Sequence, residues 1–347
     1  MIRNRALVVP LVAALAAVFG SAALASQARQ STTPKPATAK QWKALVAKAK
    51  QEGSVTLYSS QDPTTLATFA AKFKERYGIT VTWSRQIDSV LAAQVTAEHG
   101  TGNAKADMWV IASRPYVLGG LKNGWAVDAV GPDLFNKRYD RAKYAKPGKA
   151  FAVGAAVQGI GWNTKLFPQG LKDYPDLLNA ALSGGKIGVV QPTGPSFVDF
   201  YQMLDSHYGK SFVPKLAAQK PKIYLSTLPQ LQALGSGELA ASALVGANAL
   251  DLKAQGAPID FVLPKGGAWN APWFAMVLKQ APHPNAAQLL ADYMVTPEGQ
   301  QAVNRHYGAV LKNIPDTFYV PLRAQKLSNL TSAKITAYQQ YWTGLFK

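Results

Sequence analysis

Cysteine is absent from the 347 residues. That excludes disulfides, thiolate metal sites, a cysteine nucleophile and a lipid carried on a cysteine. Histidine is scarce, with four in the chain, His99, His207, His283 and His306. Their scatter indicates neither a zinc site nor a serine–histidine dyad. The sequence also has no Gly-x-Ser-x-Gly elbow, no Gly-x-x-x-x-Gly-Lys-Ser/Thr loop, no His-Glu-x-x-His pair and no Gly-x-Gly-x-x-Gly turn. These absences count against most enzyme classes and leave an exported hydrolase as the competing enzymatic reading. No stretch after the amino terminus approaches the roughly 20 uninterrupted apolar residues of a membrane helix.

What is present begins with Arg3 and Arg5, an apolar run over residues 6–20, and Ala23-Leu24-Ala25 as a small-residue cleavage site. That is the grammar of a secretory signal peptide over residues 1–25. Residues 26–40, rich in Ser, Thr, Pro and Ala, read as a disordered leader. The remainder suffices for two domains, and 48% apolar residues can fill their cores. The formal charge of +18 becomes +16 once Arg3 and Arg5 are removed. Such an excess favours anionic partners. Export argues against nucleic acid, and the lysines are spread rather than clustered among aromatics. An anionic solute, the anionic envelope and a merely solvated basic surface remain.

Helical and strand patterns alternate along the chain, which indicates an α/β fold with mostly parallel sheets. Trp42, Leu45, Val46 and Ala49 form a helical stripe ended by Gly53. Residues 55–58 read as a strand, Asp62-Pro63 as a helix start and Gly78 as its stop. Residues 80–83 and 106–112 read as further strands, the second running into Ser113-Arg114-Pro115 and a helix closed by Asn123-Gly124. Ala286, Leu289, Leu290, Tyr293 and Met294 recur at helical spacing. Thr296-Pro297-Glu298 then supplies a cap, an N1 proline and a first-turn carboxylate for another helix.

The stretch from Ala281 to Gln301 resembles a landmark of the solute-binding proteins of bacterial ABC importers. The order Gly53-Ser-Val-Thr-Leu-Tyr58, Phe73-x-x-x-Tyr77-Gly-Ile-x-Val81, then Ala106-Asp107-Met108 with Ser113, is similar to the first lobe of family 1 extracellular solute-binding proteins. The ferric-iron and phosphonate-type branch is the nearest in look. Gly159-Ile-Gly-Trp-Asn-Thr-Lys-Leu-Phe167, residues 177–190 and Ala254-Gln-Gly-Ala-Pro258 carry the likeness on, so that it covers residues 53–310. The resemblance implies a type II periplasmic binding protein fold, two α/β lobes joined by two crossing strands with a ligand cleft between them. The crossings are expected at residues 151–156 and 269–274. Residues 41–150 are then the first part of lobe 1, 151–268 lobe 2, 269–312 the return segment of lobe 1, and 313–347 C-terminal helices packing on lobe 2. It further implies a monomeric periplasmic binding protein, not lipidated and without cofactor, that hands a small solute to ABC permease subunits.

Candidate ligand residues lie on loops that follow strands. A strand ending in small hydroxyl residues at a helix amino terminus exposes backbone N–H groups to an anion, reinforced by the helix dipole. Three loops have this form: Ser59-Ser60-Gln61 before the Asp62-Pro63 helix, Ser113-Arg114 before the Pro115 helix, and Thr193-Gly194-Pro195-Ser196 before a helix bearing Phe197, Phe200, Tyr201 and Leu204. Each is equally readable as a simple cap. Arg114 offers a bidentate partner for a carboxylate, phosphonate or phosphate. Gln86 and Asn248 stand where the resemblance places ligand contacts. Ferric members carry adjacent tyrosines at the loop corresponding to Gly246-Ala-Asn-Ala249, and here that pair is missing. No metal ligand is therefore assigned, and ferric iron is the alternative to an anionic organic solute, since amides serve a hard cation poorly. Trp269, Trp273 and Trp83 read either as core or as stacking surfaces.

Overall fold

The computed structural model describes residues 34–145, 148–246, 248–264, 268–319, 322 and 326–347. The stretch read as signal peptide and most of the leader lie outside them. The leader is shorter than the sequence suggests. Thr38 and Gln41 form a capping box that opens α1 (Ala39–Glu52), and Ala37 N–H already donates to Val130 O at 2.9 Å.

The first half of the molecule runs β1 (Ser54–Ser59), α2 (Pro63–Tyr77), β2 (Thr80–Arg85), α3 (Asp88–Thr101), β3 (Met108–Ile111) and α4 (Arg114–Lys122). β1 pairs in parallel with β2 and with β3. α2 starts where Asp62 accepts from Thr64 N and Thr65 N, and stops at Gly78, whose φ of 76° is cheap only for glycine. Leu66, Phe69 and Phe73 on its inner stripe are fully buried. α3 has no counterpart in the sequence reading. Only Leu91 and Val95 of its 14 residues are buried, so its apolar stripe is weak.

Short β4 (Ala126–Val127) and α5 (Arg141–Tyr144) lead into β5 (Ala150–Asn163), the longest strand. The second half follows with β6 (Ile187–Val190), α6 (Pro195–Tyr208), α7 (Phe212–Ala218), β7 (Lys222–Tyr224), α8 (Thr227–Ser236), β8 (Ala241–Gly246), α9 (Ala249–Ala254) and β9 (Ile259–Val262). Ahead of β6 lies a pair of 3-10 turns at Tyr174–Leu178 and Ala180–Leu182, too short for α-helical bonding. The chain then returns through β10 (Trp269–Leu278), α10 (Pro284–Tyr293), α11 (Pro297–Val303), β11 (Gly308–Ala309) and β12 (Phe318–Tyr319), and ends with α12 (Ser332–Leu345).

One hydrogen-bonded path, β2-β1-β3-β10-β5-β8-β6-β7, joins the halves. β5 and β10 are the strands they share. The front of β5 pairs antiparallel with β10, Ala156 opposite Ala271 and Ala152 opposite Phe274, while its end pairs with β8 and β9. Pro272 sits inside β10, beside a register shift at Trp273/Phe274 that accommodates the missing N–H. α11 fixes this junction: the Gln300 and Asn304 side-chain amides both donate to Val153 O at 2.8 Å. A Cβ at Gly154 would collide with the Asn304 side chain, so the close approach requires glycine. After residue 313, the described segments comprise β12, a 3-10 turn and α12, where several helices are expected. α12 lies on α6: Trp342 meets Tyr201 at 5.7 Å, and Gln339 donates to Pro192 O at 2.7 Å. Among the described residues no helix is long and apolar enough to cross a membrane.

Candidate functional site

A cavity of about 100 Å³ lies where the two halves meet around the shared strands. The first half contributes Ser60, Asp62, Arg85 and Asp88; the second contributes Thr193, Ser196 and Thr227 among others. Gln158, Trp269, Trp273 and Tyr307 line it from the junction. Direct contacts cross beside it. Ser113 Oγ meets Ser196 Oγ at 2.9 Å, and Asn248 Nδ2 donates to Asp62 Oδ2 at 3.2 Å. With the halves this close, the remaining space suits only a few water-sized groups.

Arg85 ends β2 and projects into this space. Burial lowers its guanidinium pKa from the ordinary 12.5, opposed first by the charge of Asp62. Its Nε has no hydrogen-bond partner, and among the described residues no carboxylate comes within ion-pair distance. Two other lining atoms are also unpartnered, Ser60 Oγ and Gln158 Oε1. Buried polar atoms normally have partners. Three such atoms around one cavity need water or a polar ligand there to complete their hydrogen bonds.

The helix starts around the cavity differ in what they can offer. On the first-half wall, Asp62 Oδ1 takes the Thr64 and Thr65 N–H groups at 2.8 and 3.3 Å. Asp88 takes the Ser113 and Ala112 N–H groups at 2.7 and 3.3 Å. Pro115 has no N–H, and Tyr116 N–H already donates to Ser113 O. On the second-half wall, α6 and α8 begin without any side-chain cap. Among the described residues no backbone acceptor takes the N–H groups of Ser196, Phe197, Thr227 or Leu228, and all four residues line the cavity. These are orphan donors at the positive ends of helix dipoles.

Of the residues singled out in the sequence as ligand contacts or stacking surfaces, Ser60, Ser113, Thr193, Ser196, Trp269 and Trp273 line the cavity. The others lie elsewhere. Ser59 Oγ accepts from Gln61 N–H, and Gln61 Nε2 donates to Val303 O, so both brace α11 against β1. Gln86 is exposed outside the lining. Arg114 is outside it too and engages a neighbour of its own. Asn248 reaches Asp62 across the cleft without lining the cavity, and Ala247 beside it is outside the described residues. Trp269 is locked in place, donating from Nε1 to Asp199 Oδ2 at 3.0 Å, with its ring edge-on to Phe200. Sequence reasoning passed over Arg85, Asp88, Gln158, Thr227 and Tyr307. Arg85 carried one signal, a basic residue closing a strand. The others carried none, because nothing local marks them.

The donor set also bears on iron. Tyr307 is the tyrosine in the lining, and burial pushes its phenol well up, with Asp62 and Asp251 adding to the effect and Arg85 opposing it. Among the described residues no group of three or more His, Cys, Asp or Glu converges in a metal-binding arrangement.

Comparison with solved structures supports the same architecture. A substrate-binding protein of an ABC transporter from Agrobacterium tumefaciens superposes with a TM-score of 0.73 at 15% identity, covering 84% of this chain and 95% of its own. The periplasmic binding protein AfuA from Actinobacillus pleuropneumoniae, solved with fructose-6-phosphate, gives 0.68 at 19%, covering 85% and 98%. Iron-bound HitA from Pseudomonas aeruginosa gives 0.64 at 20%, covering 84% and 99%. At such identities the likeness shows the fold, that of the two-lobe periplasmic binding proteins. A search of curated proteins gives no match. The model of the bacterial extracellular solute-binding protein family matches residues 55–308. That match spans well over half of the sequence, and this chain belongs to the bacterial extracellular solute-binding proteins.

Proposed function

We propose that this protein is the unlipidated periplasmic receptor of an ABC importer, and that it clamps a small organic solute by an anionic group held between Arg85 and the amino termini of α6 and α8. It catalyses no reaction on this reading and passes the solute to permease subunits as a monomer. The observation that carries it is Arg85, a half-buried guanidinium in the cavity with no carboxylate paired to it among the described residues. A charge withdrawn from water is costly until an opposite charge meets it. The four orphan N–H groups opposite add donors that favour an oxyanion. Residues 41–150 with 269–312 would move as one lobe against residues 151–268 with α12, hinging on β5 and β10.

Ferric iron is the second reading, favoured by Asp62, Asp88 and Tyr307 as oxygen donors around one cavity. Against it, Asp88 is already occupied by two backbone N–H groups and burial keeps the Tyr307 phenol protonated.

A melting-temperature screen of phosphorylated organics, phosphonates, carboxylates, sulfonates and ferric citrate separates these readings. An organic anion is expected to stabilise the protein by about 2.7 kcal/mol at a hundredfold excess over its dissociation constant. Arg85→Ala should remove about half or more of that gain. A ligand that is neutral or cationic, or a visible charge-transfer band with ferric citrate, would overturn the assignment.

A further inference from the structure

A second cavity, of about 610 Å³, shares no lining residue with the cleft. Lys137, Arg138, Lys143 and Lys312 stand in its wall, against a single carboxylate, Asp140. That carboxylate is engaged, accepting the Lys143 N–H at 3.1 Å as the cap of α5. Among the described residues none of the four cations lies within ion-pair distance of an acid. Two of them converge: Lys143 and Lys312 Nζ sit 6.0 and 5.8 Å from the Tyr319 ring centroid, and Lys143 is 4.9 Å from that of Tyr144. The Tyr319 phenol is held below its ordinary 10.0, first by the Tyr144 hydroxyl and then by Lys143 and Lys312. Val310, Leu311 and Ile314 give the cavity an apolar floor.

Like charges gathered around one concavity repel one another and are relieved by a shared counter-charge. Four cations less one carboxylate leave a formal +3 in the lining. A phosphoryl group carries about −1.5 to −2. One such group leaves the lining positive, whereas two balance it.

We propose that this cavity is a second binding site, separate from the solute cleft, for a ligand carrying two linked phosphoryl groups. Such a diphosphate exists free in solution or as the headgroup of a lipid at the envelope surface. The site stands independently of the reading of the cleft.

Calorimetric titration of the purified protein with inorganic pyrophosphate and with orthophosphate tests it. Pyrophosphate should bind at least tenfold more tightly than orthophosphate. Lys137→Gln/Lys312→Gln should weaken pyrophosphate at least tenfold, while Lys43→Gln/Lys48→Gln, an equal charge loss at exposed positions of α1, leaves it unchanged. Undetectable pyrophosphate binding, equal affinity for orthophosphate, or equal loss in the α1 pair would each overturn the proposal. A second arm identifies the source. Retention on phosphatidylcholine vesicles containing a polyprenyl diphosphate, reversed by free pyrophosphate, assigns the lipid headgroup; pyrophosphate binding without retention assigns the soluble ligand.

Discussion

On the first-half wall of the cleft, Asp62 and Asp88 hold the N–H groups around the starts of α2 and α4; on the second-half wall, α6 and α8 open with no side-chain cap. The sequences at these starts look alike, a strand, then small hydroxyl residues, then a helix. Their electrostatics differ because one wall carries its own anions. The device recurs away from the cleft. Glu52 takes the Asn285 and Ala286 N–H groups at the start of α10, and Asp292 takes those of Asp133 and Leu134. A helix start is therefore an anion site only where the tertiary fold leaves its donors free. That condition holds on the wall facing Arg85.

The largest expected effect is on binding. Arg85→Ala should weaken the solute found by the melting screen by about 1.5–3 kcal/mol, the worth of a charge-assisted hydrogen bond. Arg114→Ala, outside the cavity, should change calorimetric affinity far less. Equal losses in the two variants would erase the distinction between the walls.

Next comes the carboxylate that fills the first wall. Asp88→Ala strips the acceptor from two N–H groups, those of Ala112 and Ser113, and should cost about 1–3 kcal/mol of stability in urea unfolding. An unchanged midpoint would mean that water satisfies both donors, and that the two walls differ little.

Asp292 sharpens the contrast through pH. Burial first, and the charge of Asp133 second, raise its carboxyl from the ordinary 3.8 to about 7, despite the two backbone donors that lower it. The folded state thus binds the proton more tightly than the unfolded chain. This contribution to stability is full below the unfolded pKa of about 4 and is lost as pH rises through about 7. Asp292→Asn should flatten that decline in a pH series of melting temperatures and surpass the native protein at pH above about 8. A parallel decline in the variant would place the titration elsewhere.

The smallest effect is expected at Ser196. Its hydroxyl is occupied by Ser113 across the cleft, while its backbone N–H is the donor that faces the cavity. Ser196→Ala should therefore lower affinity by no more than about 0.5–1.5 kcal/mol, one neutral hydrogen bond. A larger loss would show that the hydroxyl leaves Ser113 and binds the solute itself.

Much of the fold was legible because its signals are local. Asp62 and Thr296 cap helices where the sequence places them, Gly53 and Gly78 end helices at positive φ, and residues 151–156 and 269–274 pair as antiparallel strands. α3 escaped notice because two buried residues make no stripe. The lining of the candidate cavity was legible in part. Ser60, Ser113, Thr193, Ser196 and Trp269 line the cavity, yet the arginine in it is Arg85 rather than Arg114.

The sequence by itself determined the family, much of the order of strands and helices, and the surplus of positive charge. Helical and strand periods and caps act over a few residues, so they survive reading in one dimension. Only the tertiary structure decided which cation lacks a partner and which helix starts are free. Those facts depend on pairs such as Asp88 with Ser113, 25 residues apart, and Gln61 with Val303, 242 apart. The free energy of a charge or an N–H group is set by what lies within a few ångström of it, and chain separation says nothing about that.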